Sequence, residues 1–392
     1  MVMIHHSNQD YNVAASEAAK HARTKFEAMI AKGTASASST VNHILDTVPA
    51  DTVVKAAGLE FRPYHRIGEW EPEEGPGRVY VARAPDEGGI RAFRPLHPNG
   101  LAQAATRLGM STNYVNSLLK VDDPMDIPWK HELLTHNLNE LAQHDDRRFL
   151  IRSVKPRNHT LHEVRAVLSD KYRRLDSRPI LDAFLGSVNN YGGLPCEGTV
   201  TDTKVFLKIV LPHIFEPVPN EPTCFGIQFS NSDYGNGKLS IRGFMLRLAC
   251  TNKAITEESL SQVHLGRRLD ENIQFSQQTY ELDTAAMASA VGDIVTQVLA
   301  PGAVNNRMEQ LRLANEKGIA SFNTLGSLKK SLTKGEWEAV KGAFEGPDEH
   351  NLPPGKTQYR LSNAISWIAH TVEDGDRRHE LEQLAGSYLV AA

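Results

Sequence analysis

The amino-acid sequence predicts an α+β protein with a central antiparallel sheet, flanking helices and a helical C-terminal third. Two observations lead to this fold class. In the middle of the chain, three apolar segments rich in aromatic and β-branched residues are typical of strands, at 205–211, 224–232 and 238–250. The turn sequence DYGNGK joins the last two segments as a hairpin. From residue 251 onward, apolar residues recur mostly at helical spacing.

Helical and irregular patterns alternate before the predicted sheet. Residues 11–31 have helical spacing, and the small residues of GTASASST at 33–40 are expected to break this helix and act as a linker. In residues 58–85, Gly and Pro separate short apolar pairs, which indicates short strands and turns. We therefore expect residues 1–90 to form an N-terminal helical and irregular region.

Residues 101–120 have the pattern of a helix-turn-helix. Apolar residues at helical spacing (Leu101, Ala104, Ala105, Leu108) precede Gly109, and Ser111 is placed to cap a second helix with Tyr114, Val115, Leu118 and Leu119. One interpretation is a transcription regulator that reads duplex DNA with this second helix. The second helix carries one cation, so we favour structural packing of the two helices.

Further helices are predicted on both sides of the sheet segment. They cover 179–193 with a Gly stop, 277–299 ended by Ala300-Pro301-Gly302, a segment capped by Thr333 and Glu336, 361–372 and 379–390. These patterns indicate an α+β core at 91–275, with a basic segment and the sheet, and a helical C-terminal region at 276–392.

Composition excludes several classes of protein. The 392 residues contain no apolar run of the roughly 20 residues that a membrane span needs, and the first residues, MVMIHHSNQDYN, lack the apolar stretch of a secretory signal. We expect a cytoplasmic protein without membrane contact. Cys196, Cys224 and Cys250 form no metal-binding pair, so we expect reduced and mostly buried thiols.

Motifs for catalysis or cofactor binding are not found in the sequence. GNGKLS at 235–240 departs from the phosphate loop, HTLHE at 159–163 departs from the zinc-protease orders, and there is no G-x-S-x-G elbow. We expect no enzyme activity, no cofactor and no bound metal. A metal-dependent nuclease that uses Asp170 or Asp176 is the alternative from this class.

The strongest local charge lies between Arg147 and Arg174, where nine Lys and Arg residues accompany the acids Glu163 and Asp170. Cations bind phosphates and aromatic rings stack on bases, a combination that suits a single strand of nucleic acid. Arg242 and Phe244 share one face of their predicted strand and extend this chemistry. The predicted DNA-binding residues are Arg147, Arg148, Arg152, Lys155, Arg157, Lys171, Tyr172, Arg173, Arg174, Lys238, Arg242, Phe244, Lys253, Arg267 and Arg268.

A structural interpretation of the same residues stays open. Arg173 and Arg174 are close in sequence to Asp170 and Asp176, with which they could pair, and Tyr172 could be half-buried with its hydroxyl in water. The concentration of cations favours nucleic-acid binding over this interpretation.

Blocks of the sequence resemble a family of phage and plasmid proteins that is grouped as a domain of unknown function. The blocks are 100–119 with HNLNEL at 136–141, 165–181, 229–255 followed by HLGRR at 264–268, and 359–372. They span about residues 90–372, and the N-terminal 90 residues lie outside the likeness. The resemblance implies an origin in a mobile element and implies no activity or catalytic residue.

In length, acidic balance and block order, the chain also resembles the single-stranded-DNA-binding proteins of lytic podophages. That resemblance implies a role in DNA replication, recombination or phage transcription, in the host cell cytoplasm. Its implied partners are single-stranded DNA and a phage RNA polymerase. The amphipathic C-terminal helices lead us to expect a homo-oligomer as well.

Overall fold

The computed structural model describes residues 11–63, 79–83, 93–120, 127–155, 162–249, 252–262, 275–347 and 350–390. It confirms the predicted fold class: 53% of the chain is helical and 23% is in strands, the sheets are antiparallel, and the C-terminal third is helical.

The strands, in chain order, are β1 (Ala50–Lys55), β2 (Leu59–Pro63), β3 (Val79–Arg83), β4 (Arg94–Pro95), β5 (Arg148–Val154), β6 (Glu163–Ser169), β7 (Leu194–Val200), β8 (Val205–Val210), β9 (Phe215–Val218), β10 (Glu221–Asn231), β11 (Leu239–Arg247) and β12 (Asn252–Gln262). The helices are α1 (Glu17–Asp46), α2 (Pro98–Arg107), α3 (Thr112–Leu119), α4 (Ile127–Gln143), α5 (Ser177–Asn189), α6 (Gln277–Leu299), α7 (Pro301–Glu316), α8 (Gly326–Ser331), α9 (Lys334–Glu345), α10 (Gln358–Ala369) and α11 (Gly375–Val390).

The central sheet has the strand order β12-β11-β10-β8-β7, and β9 pairs with the start of β10. Its middle strands are the three predicted from sequence, and residues 233–238 join β10 to β11 as the predicted hairpin turn. The expectation of helices from residue 251 onward is wrong at its start, because 252–262 pair with β11 as the edge strand β12.

Two smaller sheets lie in the first half of the chain, with the orders β1-β5-β6 and β2-β3-β4. Strands β2 and β3 fall in the segment where Gly and Pro predict short strands. Strands β5 and β6 form most of the basic segment, so alternate side chains there point to opposite faces of a sheet. This alternation decides which of its cations reach solvent.

Helix α1 corrects the linker prediction, because it continues without a break through 33–40. The small residues of this stretch allow the helix to lie directly on β7. A Cβ atom at Gly33 would overlap the carbonyl oxygen of Cys196, and one at Gly198 would overlap that of Ser36. Ser36 also accepts, at its hydroxyl, a hydrogen bond from the Gly198 amide at 3.1 Å.

The buried apolar residues do not divide at the predicted boundaries, residues 90 and 275. The largest cluster joins Ile44 of α1, Phe225 of the central sheet and Ile365 of α10. A second cluster lies between the β1-β5-β6 sheet and helices α2 and α4, and includes Phe149 and Leu134. Helices from both ends of the chain therefore complete the core of the central sheet.

Helix α11 is fixed to the central sheet by a buried ion pair. Lys208 on β8 contacts Glu382 on α11 at 2.6 Å and Glu197 on β7 at 3.2 Å. Burial alone would lower the pKa of Lys208, but the charges of Glu197 and Glu382 raise it above its ordinary value. The last helix thus carries the partner of a cation inside the fold.

The helix pair predicted at 101–120 is present as α2 and α3, with Gly109 in the left-handed conformation between them (φ 85°). Val115 and Leu118 are the buried residues of α3, which packs on α4. The opposite face of α3 is exposed.

The C-terminal helices follow their predicted signals. Helix α6 has the predicted bounds, Pro301 begins α7 after a bend, and Thr333 with Glu336 forms the predicted capping box of α9. Across the part of the chain that the structure describes, no single helix is long and apolar enough to span a membrane. The bent pair α6 and α7 passes that test only when the two are taken together.

The contact of α1 with β7 predicts that Gly33→Ala destabilises the protein by about 1–3 kcal/mol, because the added methyl group overlaps the β7 backbone. Alanine is the better helix former, so propensity alone predicts the opposite sign. Gly186→Ala, at an exposed position of α5 with open space around it, is the matched control and should be neutral or stabilise by up to about 1 kcal/mol. Urea denaturation of both variants measures this, and equal effects would contradict the close packing.

Candidate nucleic-acid interface

Arg152, at the centre of the basic segment, is an interior residue and not part of a surface groove. Its guanidinium is 1% exposed and contacts Asp51 on β1 at 2.8 Å and Asp176 before α5 at 2.5 Å. It also donates to the backbone carbonyl of Asp233, in the β10–β11 turn, at 2.7 Å. Arg152 therefore joins the smaller sheet to the hairpin of the central sheet, and the prediction that it binds DNA is corrected.

The carboxylates around Arg152 titrate unequally. Burial raises the pKa of Asp233 to about 6, and the charge of Asp176 adds to this shift, while Arg152 opposes it. The Asp233 carboxylate accepts hydrogen bonds from the amide and the hydroxyl of Ser177, at 2.9 Å and 2.8 Å. For Arg152, burial alone would lower the pKa, but the three nearby carboxylates raise it above its ordinary value.

Neither aromatic residue predicted to stack on bases is accessible for stacking. Tyr172 is buried in the apolar cluster between the β1-β5-β6 sheet and the hairpin, together with Tyr234 and Leu168. Phe244 is fully buried on the face of the central sheet that α1 covers, next to Phe26. Both positions alternate inward on or beside a covered sheet face, so these two predictions are corrected.

Arg173 and Arg174 are part-buried and paired with acids, but not with Asp170 or Asp176. Arg173 makes a bidentate pair with Asp283 of α6, at 2.6 Å and 2.7 Å. Arg174 contacts Asp51 at 3.1 Å, and its guanidinium lies 4.3 Å from the centre of the Tyr280 ring. The structural interpretation had the right kind of partner at the wrong sequence distance.

The predicted residues on and after the central sheet add little accessible charge in the described ranges. Arg242 is buried on β11 and donates to the Ser240 hydroxyl at 2.8 Å, which corrects its prediction as a contact to DNA. Lys238 is partly exposed at the hairpin. The Lys253 side chain and residues Arg157, Arg267 and Arg268 lie outside what the structure describes.

Cations from four parts of the fold meet at one end of the β1-β5-β6 sheet. Lys55 and Arg148 are paired across β1 and β5, and both are exposed. Arg147 precedes this pair, and its side chain is 63% exposed and donates to the Arg107 carbonyl at the end of α2. We name this surface, formed by Lys55, Arg107, Arg147, Arg148 and Lys171, the basic end.

Acidic residues moderate the charge of the basic end. Asp145 pairs with Arg147 at 2.6 Å, and the side-chain hydrogen bond from Arg147 holds the pKa of Asp145 below its ordinary value. Burial, and then the charge of Arg147, lowers the pKa of Arg107, while Asp170 opposes this shift. With Asp146, these acids leave the basic end with a small positive excess. Lys155 is exposed at the opposite end of β5.

Two exposed aromatic residues lie on α3 and α4, where sequence reasoning had not placed them in the site. Tyr114 is 39% exposed and Trp129 is 52% exposed. The Tyr114 hydroxyl accepts a hydrogen bond from Asn137 of α4 at 2.9 Å, and Lys130 lies 5.8 Å from the Trp129 ring. Asn137 follows Trp129 by eight residues, so the two rings are separated by about 12 Å along α4. An apolar residue on a helix face predicted to be packed was the only available signal.

The described residues offer no metal centre, since no group of three His, Cys, Asp or Glu side chains could hold an ion there. Asp176, named for the nuclease alternative, is paired with Arg152. Cys196 and Cys224 are free and buried as predicted, and burial raises the pKa of the Cys224 thiol above its ordinary range.

Comparison with known proteins adds no assignment: no protein family, no curated protein and no solved structure matches the sequence.

The raised pKa of Asp233 predicts a pH-dependent contribution to stability. Because its pKa is higher in the folded state than the roughly 3.9 of an unfolded Asp, its contribution is full below pH 4 and is lost as the pH rises to about 6. The free energy of unfolding of the wild type, minus that of Asp233→Asn, should therefore fall by up to about 3 kcal/mol between pH 4 and pH 7.

Urea denaturation at four pH values measures this difference. Asp182→Asn, at an exposed position of α5, controls for the loss of a carboxylate. A difference between wild type and Asp233→Asn that stays constant with pH would show that the folded state does not perturb Asp233.

Proposed function

We propose that this protein is a non-enzymatic, sequence-independent single-stranded-DNA-binding protein whose contact surface is the basic end. One observation carries the proposal: Lys55, Arg148 and Arg147, exposed and adjacent, form a surface with Arg107 and Lys171 from separate elements. Exposed cations held by different elements are retained when the protein folds, whereas cations such as Arg152 are neutralised inside it.

The size of this surface favours a modest affinity set by phosphate contacts. A single strand presents one charge per nucleotide, and each neutralised phosphate makes binding weaker as salt rises. Arg147 and Arg148 carry the charge on a strand end and its preceding turn, which fixes their backbones. The net charge of −4 for the whole chain is compatible with a local positive surface.

Tyr114 and Trp129 supply rings for stacking beside the basic end. Tyr114 stands in the first turn of α3, soon after Arg107 along the chain, and Arg107 contacts Arg147. A spacing of about 12 Å between the positions of the two rings along α4 leaves room for an extended strand to pass between them. Stacking is independent of base identity, which supports binding without sequence preference.

The biological role rests on the resemblances found in the sequence. They support a protein of phage type that acts in DNA replication, recombination or phage transcription, in the cytoplasm of the host cell. We include a homo-oligomer and a phage RNA polymerase as proposed partners on the same basis.

A duplex-DNA regulator is a second candidate, favoured by the exposed face of α3. This face presents Asn113, Asn116 and Ser117, and Asn side chains can read adenine in the major groove. Binding to duplex in preference to single strands, with loss of this preference in Asn113→Ala plus Asn116→Ala, would replace the first proposal with this one.

The basic end predicts a change in salt dependence. For a labelled 30-mer single strand, Lys55→Ala plus Arg148→Ala should weaken binding and lower the slope of log K against log salt by about 1.4, or about 0.7 per phosphate contact. Fluorescence anisotropy across a salt series measures both quantities. Lys330→Ala plus Lys334→Ala removes two exposed cations elsewhere and should leave the slope unchanged. Equal slopes for both double variants would exclude the basic end.

Stacking on Tyr114 predicts a separate loss. Tyr114→Ala should weaken strand binding by about 5-fold to 150-fold, the range for one base–aromatic stack. Tyr114→Phe keeps the ring and removes the hydroxyl that Asn137 contacts, so it should bind nearly as tightly as the wild type. The same anisotropy assay applies, and equal loss in the two variants would point to the hydrogen bond with α4 and not to stacking.

A further inference from the structure

The N-terminal part of α6 covers the two arginines that the sequence places at the centre of the predicted DNA-binding segment. Asp283 forms the bidentate pair with Arg173, and the Tyr280 ring lies over the Arg174 guanidinium. Gln277 adds a contact of 3.5 Å to Arg174. We name residues 275–283 the α6 lid.

The chemistry of these contacts matches what a nucleic-acid strand offers. A carboxylate that accepts two parallel N–H bonds from an arginine occupies the place of a phosphate, and a guanidinium over an aromatic ring has the geometry of an arginine stacked on a base. Lys171 of the basic end precedes Arg173 by two residues, a span of about 7 Å at most. The covered arginines therefore continue the surface that is already exposed.

Few apolar contacts hold the α6 lid in place. None of the residues 277–283 is buried, and Leu282 is 64% exposed. The first buried apolar residue of α6 is Val291, which belongs to the main core. The rest of α6 is fixed by packing, whereas its first two turns depend on polar contacts that salt and competing charges weaken.

We propose that the α6 lid is a built-in competitor of the strand: it occupies Arg173 and Arg174 in the free protein and is displaced when single-stranded DNA binds. This inference rests on the proposed function. Displacement releases Arg173 to a phosphate, while Arg174 keeps its contact with Asp51. Because strand binding selects the open state, the apparent affinity is lower than the affinity of the open state by the fraction of molecules that are open.

The test weakens the lid without changing the arginines. Asp283→Asn should bind a labelled 30-mer single strand about 3-fold to 10-fold more tightly than the wild type in fluorescence anisotropy. Asp293→Asn is the matched control, because it removes the same charge at an exposed position of the same helix, away from the arginines. It should change the affinity by less than 2-fold. Equal tightening in both variants would show a general charge effect and overturn the proposal.

Hydrogen exchange supplies the conformational readout. Amides of residues 279–284 should exchange faster in the wild type when the strand is bound, whereas those of 291–299 should not. Strand binding with unchanged or greater protection at 279–284 would overturn the lid and leave the proposed function standing. Absence of strand binding in the wild type and in Asp283→Asn would overturn both.

Discussion

The need to neutralise Arg152 inside the protein is the constraint on which the arrangement of the whole chain depends. An unpaired guanidinium in the interior costs several kcal/mol, and removing one partner of such a group typically costs about 3–5 kcal/mol. Its partners come from β1, from the residue before α5 and from the β10–β11 turn. No single element can satisfy it, so the smaller sheet, the helix and the hairpin must meet at one point. Asn99 and Gln103 of α2 add to this junction by donating to the Tyr234 carbonyl at 3.2 Å and 2.7 Å.

Local patterns in the sequence predicted most of the elements, because turn chemistry and capping act over a few residues. The hairpin at 233–238, the end of α6 before Pro301 and the Thr333–Glu336 capping box are examples. Residues 33–40 were misread for a reason of longer range. Small polar residues have weak helix propensity, but here they allow α1 to lie on β7, and that contact depends on Gly198, more than 150 residues away.

The candidate site was predictable only in part, since counting charges along the chain ignores how they pair in space. Arg152, Arg173 and Arg174 each have acidic partners far away in sequence, so the richest part of the basic segment is largely neutralised. The basic end could not be found as a group from sequence, because Lys55 joins it only through the register of β1 against β5. Strand alternation does explain why exposed Arg148 and buried Arg152 differ: the strand end is open to solvent, and its centre is covered.

The buried pair of Lys208 and Glu382 has a consequence for the order of events during synthesis. Lys208 is made in the middle of the chain, and its partner lies ten residues from the last one. A ribosome releases the chain from the N-terminal end, so the central sheet waits with an uncompensated cation until α11 has emerged. The protein is therefore poorly suited to folding in stages, and chains cut short within α11 should be substrates for proteases and chaperones and not partly active fragments.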